Sequence, residues 1–89
     1  MGGPFELRLS RQGERALRRV DAQTLVRLGR ALDRLQRDPF DPSLDIRPVK
    51  GQPGVWRLRV GDWRILYEVD LVERIIRVLV ISLRGAAYR

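Results

Sequence analysis

Arg57, Arg59 and Arg64 flank a Gly61-Asp62 pair in the stretch VWRLRVGDWRILYEV, which runs from Val55 to Val69. Glycine tolerates the positive φ of a tight two-residue loop and aspartate is among the next-best residues there, so the stretch reads as a β-hairpin. An even loop on that pair sets Val60 against Trp63, Arg59 against Arg64, Leu58 against Ile65, Arg57 against Leu66 and Trp56 against Tyr67. Residues directly opposite share a face. The three guanidinium groups therefore fall on one side of the ribbon, while Trp56, Leu58, Val60, Trp63, Ile65 and Tyr67 form a core side. Clustered guanidinium forks fit phosphate oxygens two at a time, and the chemistry this predicts is anion binding. The competing reading is a solvated outer face with a carboxylate close by, Glu68 being the obvious one. Two arginines directly opposite cost roughly 0.2–1 kcal/mol relative to a neutral pair, which a hairpin selected only for stability would avoid.

The composition narrows what such a face can do. The chain has 89 residues, enough for one domain with a single modest core. It has no cysteine, hence no disulfide framework or thiolate metal site, and no histidine, hence no histidine-pair acid/base mechanism. The formal charge is +7, and Lys50 is the one lysine among 18 basic residues. Residues 1–45 hold nine basic and seven acidic side chains, whereas residues 46–89 hold nine and four. The second half is the electropositive one, and it suits a polyanion: nucleic acid first, an acidic protein second. No run approaches the roughly 20 apolar residues of a membrane span. The start, MGGPFELRLS, lacks the charged and apolar regions of a signal peptide, so a cytoplasmic protein is expected.

The elements that must position the hairpin follow from periodicity. Phe5, Leu7 and Leu9 alternate as the inward residues of a first strand. Ser10 suits a helix N-cap with Glu14 in the first turn, and Ala16, Leu17 and Val20 give that short helix its apolar stripe. Asp21 suits the cap of a second helix whose core seam is Leu25, Leu28, Leu32 and Leu35, with Arg27, Arg30, Arg34 and Arg37 on its solvated side. That helix ends at Asp38-Pro39, because proline cannot continue the ladder. Residues 38–45 read as a loop, Ile46 to Lys50 as a short edge strand marked by Pro48, and Gly51-Gln52-Pro53-Gly54 as a turn. Ile75 to Ile81, apolar on both faces, reads as an interior strand covered on two sides, or with one side covered by a partner. The order β-α-α-β-β-β-β predicts an α+β domain spanning residues 1–89. Two helices pack on one face of a small, mostly antiparallel twisted sheet, and the arginines project from the other, open face.

These residues resemble the RelE/ParE superfamily of type II toxin–antitoxin toxins, in its RelE-like branch. The resemblance covers nearly the whole chain and is carried by Val49-Lys50-Gly51, the block from Trp56 to Val69, Val80-Ile81 and the closing Ala87-Tyr88-Arg89. It implies a cofactor-free, metal-independent ribonuclease that cuts messenger RNA in the ribosomal A site by attack of the message's own 2′-hydroxyl. It also implies a small acidic antitoxin that blocks the basic face, and operator DNA binding only through the toxin–antitoxin complex. By motif position the site is Arg57, Arg59 and Arg64 on the sheet, Arg84 shortly after it, and Tyr88 in the tail, with Lys50 as a further substrate-binding residue. Leu83 departs from the pattern, standing where many relatives carry histidine in a closing G-H-R-R-x-x-Y segment.

In-line phosphoryl transfer needs charge stabilisation and two proton carriers. Arg64 and Arg84 suit the phosphate clamp. Arginine stays protonated up to about pH 12 and makes a poor base, so Lys50, Tyr67 and Tyr88 are the proton carriers by type, and Tyr67 belongs to the core side. Tyr88 is read as acid/base group, as stacking platform for a base, or as a terminal aromatic covering the sheet edge. Two other readings of the chain stand beside the nuclease: a gyrase-poisoning toxin of the same superfamily, and a catalytically silent module that binds antitoxin and operator.

Overall fold

The computed structural model describes residues 4–84. Its elements are β1 (Glu6–Leu9), α1 (Arg11–Arg19), α2 (Ala22–Arg37), β2 (Asp45–Pro48), β3 (Val55–Val60), β4 (Trp63–Asp70) and β5 (Ile75–Leu83). The expected order holds. One five-stranded sheet runs β1-β5-β4-β3-β2. Its β2–β3, β3–β4 and β4–β5 pairings are antiparallel, and β1 joins β5 in parallel. The last strand is thus interior to the sheet, with Ile76, Val78 and Ile81 in the helix-side core and Ile75 buried on the other face. No helix among the described residues is long and apolar enough to cross a membrane.

Local chemistry fixes the two helix starts. Ser10 Oγ accepts from the Gly13 amide and also donates to the Leu79 carbonyl at 2.7 Å, tying the α1 cap to β5. Leu79 is the extra residue of a bulge: Leu66 pairs with Val80 and Tyr67 with Val78, leaving Leu79 without an opposite number. One turn on, the Gln12 amide donates to the Ile81 carbonyl at 2.7 Å and accepts from the Ile81 amide at 2.8 Å. A side chain thereby continues the edge of β5 beyond the end of β1. Asp21 caps α2 by accepting from the Thr24 amide.

The core lies between α2 and the sheet. Leu28, Ala31, Leu32 and Leu35 meet Leu58, Ile65, Tyr67, Ile76, Val78 and Ile81, with Phe5 at one end. The predicted seam on α2 is corrected at its first turn: Leu25 is 44% exposed, and Ala31 holds an inward position instead. The predicted edge strand is also displaced. It runs Asp45–Pro48 rather than Ile46 to Lys50, so Asp45 leaves the loop and Lys50 joins the turn. Pro48 does lie on the edge, since β2 pairs only with β3.

The hairpin register is the one read from the sequence, pair for pair from Trp56–Tyr67 to Val60–Trp63. Gly61 takes φ 59° and Asp62 has no positive φ, the pattern of a two-residue turn that needs glycine first. The face away from the helices is not bare, however. Val55, Leu66 and Ile75 are buried there, outside the helix-side cluster. The register sets the Arg57 stem directly beside Leu66, and arginine stems cover apolar surface while their heads stay polar.

Candidate functional site

Strand alternation puts Arg57, Arg59 and Arg64 on the face turned from the helices, with Asp45 and Arg47 of β2 beside them. The carboxylate that meets them is Asp45, not Glu68. Arg57 Nη2 donates to Asp45 Oδ1 at 3.2 Å. Arg47 Nε stands 3.9 Å from the same oxygen, and Arg59 Nη1 stands 4.0 Å from Oδ2. One negative charge therefore answers three positive ones. Glu68 has no ion pair within 4.0 Å among the described residues; its register partners are Val55 on β3 and Arg77 on β5.

Arg64 differs from its neighbours. It lies opposite Arg59 on one side and Ser82 on the other, and no carboxylate of the described residues pairs with it. Its Nε is buried without a hydrogen-bond partner, as are Arg57 Nε and Ser82 Oγ. Buried polar atoms in folded chains are almost always satisfied, so three orphaned atoms on one face set it apart from the rest of the described surface. Ser82 was absent from the sequence reading. No sequence signal placed it there, because the Arg64–Ser82 pairing follows from the β4–β5 register, a tertiary result.

Arg57 and Arg64 share a cleft of about 430 Å³ with Pro48, Val49, Lys50 and Gln52. Lys50 reaches it from the turn between β2 and β3. That turn is closed by Val49 N–H donating to the Val55 carbonyl at 2.9 Å, and by glycines at φ 80° and 83° that other residues rarely adopt. Arg59 does not line this cleft. It lines a second one, of about 400 Å³, with Arg27, Arg30, Arg34 and Asp45. The structure thus brings Lys50, Arg57 and Arg64 together and sets Arg59 one step outward.

Arg84 donates its backbone N–H to the Asp62 carbonyl at 2.7 Å, one ladder step past Leu83–Trp63. It sits at the hairpin tip and is exposed. Leu83 is half exposed, opposite Trp63 on the helix side. Tyr88 lies outside the described residues. Tyr67 is fully buried on the core side, as expected, and its hydroxyl donates to the Pro39 carbonyl at 2.7 Å. Burial, helped by the nearby Asp38 charge, pushes its phenol well above the ordinary tyrosine range. It holds its proton and is unsuited to carrying one.

A small basic α+β domain with this strand order has relatives. A sequence model of the family described as the ParE toxin of the type II toxin–antitoxin system, parDE, matches residues 7–81. The chain belongs to this family. The toxin is also similar to a candidate toxin RelE1 of Methanocaldococcus jannaschii, with 28% identity over 86 residues and 96% of each chain covered. In fold it is similar to the archaeal RelE of Pyrococcus horikoshii OT3, solved as a RelE–RelB complex. That likeness has a TM-score of 0.80 and 24% identity, covering 94% of this chain and 99% of that one. A YoeB/ParE toxin from Agrobacterium tumefaciens has a TM-score of 0.77 and 20% identity, with 89% and 98% covered. The toxin is therefore a member of the RelE/ParE superfamily, and the expected helix pair on a five-stranded sheet is the fold of its RelE neighbours.

Proposed function

We propose that this toxin is a metal-independent endoribonuclease acting on messenger RNA in the ribosome, as the RelE-like branch implies. The observation that carries the reading is the cleft where Lys50, Arg57 and Arg64 converge while both arginine Nε groups are buried and unsatisfied. A phosphodiester oxygen entering this cleft meets the guanidinium groups that line it, and a guanidinium fork binds phosphate through two N–H bonds. The 2′-hydroxyl of the preceding nucleotide attacks the phosphorus and loses its proton. The 5′-oxygen of the next nucleotide leaves and gains one. The products are a 2′,3′-cyclic phosphate and a 5′-hydroxyl.

In this scheme Arg64 and Arg57 hold the charge that builds on the non-bridging oxygens. Lys50 and Tyr88 are the proton carriers, and Arg84 and Arg59 bind the strand on either side. A small acidic antitoxin covers the basic face, in keeping with the RelB bound to the Pyrococcus relative. Cleavage and inhibition both belong to the cytoplasm, with operator DNA reached only through the complex.

A second reading is favoured by the family description itself, which names a parDE system: a toxin that poisons gyrase. Induced expression in bacteria, with transcript 5′ ends mapped and the DNA-damage response monitored, separates the two. Growth arrest with message cut inside codons supports the nuclease. Arrest with DNA damage and intact message supports gyrase poisoning, and no arrest from a folded product leaves binding alone. Arg64→Ala is expected to abolish cleavage while remaining folded and antitoxin-bound. Parental cleavage by that variant would remove Arg64 from the site.

A further inference from the structure

We propose that Asp45 is a displaceable internal counter-anion: it holds the Arg57 and Arg59 guanidinium groups in place of a phosphodiester and yields them when an RNA strand binds. The inference rests on the RNA reading above. Asp45 Oδ1 accepts from Arg57 Nη2 at 3.2 Å, and only that contact is of hydrogen-bond length; Arg47 and Arg59 stand at 3.9 and 4.0 Å. The Asp45 side chain is 43% exposed, so water screens these pairs and each is weak. A phosphodiester offers the same charge with better geometry for a guanidinium fork.

Its position makes Asp45 more than a surface ion pair. Through Arg57 it touches the cleft of Lys50 and Arg64, and it lines the second cleft beside Arg59 and the α2 arginines. A strand that continues from the first cleft to the second passes over this carboxylate. While Asp45 stays on its arginines it repels the phosphate; once turned out, it leaves them to the strand. A single small anion gains little by that exchange, whereas successive phosphates engage both clefts at once. Asp45 therefore selects for a polyanion, acting as a positioning residue through Arg57 and Arg59.

The test is binding of the full chain to a short 2′-O-methyl RNA oligonucleotide, which lacks the attacking hydroxyl, across a salt series. Asp45→Asn keeps the shape and removes the charge. It is expected to bind several-fold tighter at low salt, with a log affinity against log salt slope steeper by about 0.7, because binding no longer frees a carboxylate that takes up one cation against those the strand releases. Asp45→Glu is expected to restore the parental slope, which a purely structural role would not do. Parental binding with no gain in Asp45→Asn, or a loss, overturns the proposal alone. No binding by either chain also overturns this proposal, and the reading as a nuclease of ribosome-bound message is then decided separately by the mapped transcript ends of the expression experiment.

Discussion

Arg59 and Arg64 stand directly opposite each other across the β3–β4 ladder, yet among the described residues only Arg59 has a carboxylate within 4.0 Å, that of Asp45. The like-charged pair is a cost to the fold that the proposed RNA-binding face accounts for. Asp45 offsets it from one side only, and Arg64 keeps its buried, unpartnered Nε. Stability and function pull apart at this rung.

Arg59→Thr tests that opposition. Threonine suits a strand and removes the repulsion, worth roughly 0.2–1 kcal/mol. The weak contact with Asp45 that is lost offsets little of it. The variant is expected to melt a few degrees higher and to bind RNA with a shallower salt slope. A lower melting temperature with an unchanged slope would show that Arg59 serves the fold alone.

Tyr67→Phe separates the core tyrosine from the chemistry. It deletes the hydroxyl that donates to the buried Pro39 carbonyl, leaving that acceptor unsatisfied at a cost of roughly 1–3 kcal/mol. Because burial raises the phenol above its ordinary value of 10.0, the folded state keeps a proton that the unfolded chain loses. That contribution is complete below pH 10 and fades as pH climbs towards the folded value. Denaturant melts from pH 8 to pH 11 should therefore show the parent losing stability more steeply than Tyr67→Phe, while both cleave alike.

The hairpin and its register were legible because a glycine-led turn and strict alternation leave a single pairing that buries the tryptophans, Leu58, Ile65 and Tyr67 together. Both helix caps were legible from Ser10 and Asp21, whose short polar side chains satisfy the first amides. The parallel partnership of β1 with β5 was not, since it joins Glu6 to Ile75 and no local pattern records so distant a contact. The identity of the counter-ion was missed for a related reason. Glu68 lies near in sequence, but Asp45 enters through β2, whose start the periodicity placed one residue late. The convergence of Lys50 with Arg57 and Arg64 depends on the closed turn at Val49–Val55 and is likewise a tertiary result.

Gly13→Ala probes the contact of α1 with β5. A Cβ built there meets Ser10 Oγ at 3.5 Å and Ile81 Cδ1 and Val78 Cγ1 at 3.7 Å, ordinary packing distances. Glycine inside a helix is destabilising by roughly 0.5–1 kcal/mol relative to alanine, through the freedom it has when unfolded. The variant should raise the unfolding free energy by that margin, seen as a higher urea midpoint with an unchanged slope. A fall in the midpoint would mean that the cap and the Leu79 bulge cannot accommodate the methyl group.

Arg64→Lys distinguishes a fork from a charge. Lysine keeps the positive charge but presents a point ammonium and has no Nε, so it cannot give two parallel N–H bonds to a phosphate. If Arg64 acted only by raising the local potential, ribosome-bound message would be cut at the parental rate. On the proposed reading the Arg64 fork, flanked in the ladder by Ser82 and Arg59, is what grips the phosphate. Cleavage is then expected to slow by roughly 10–100-fold, short of the full loss of a transition-state donor because charge remains. Binding of a 2′-O-methyl strand should keep its salt slope, since the number of charges meeting phosphates is unchanged. A slowed reaction at constant slope assigns the defect to geometry in the transition state; equal losses in both would make Arg64 an ordinary contact for the backbone.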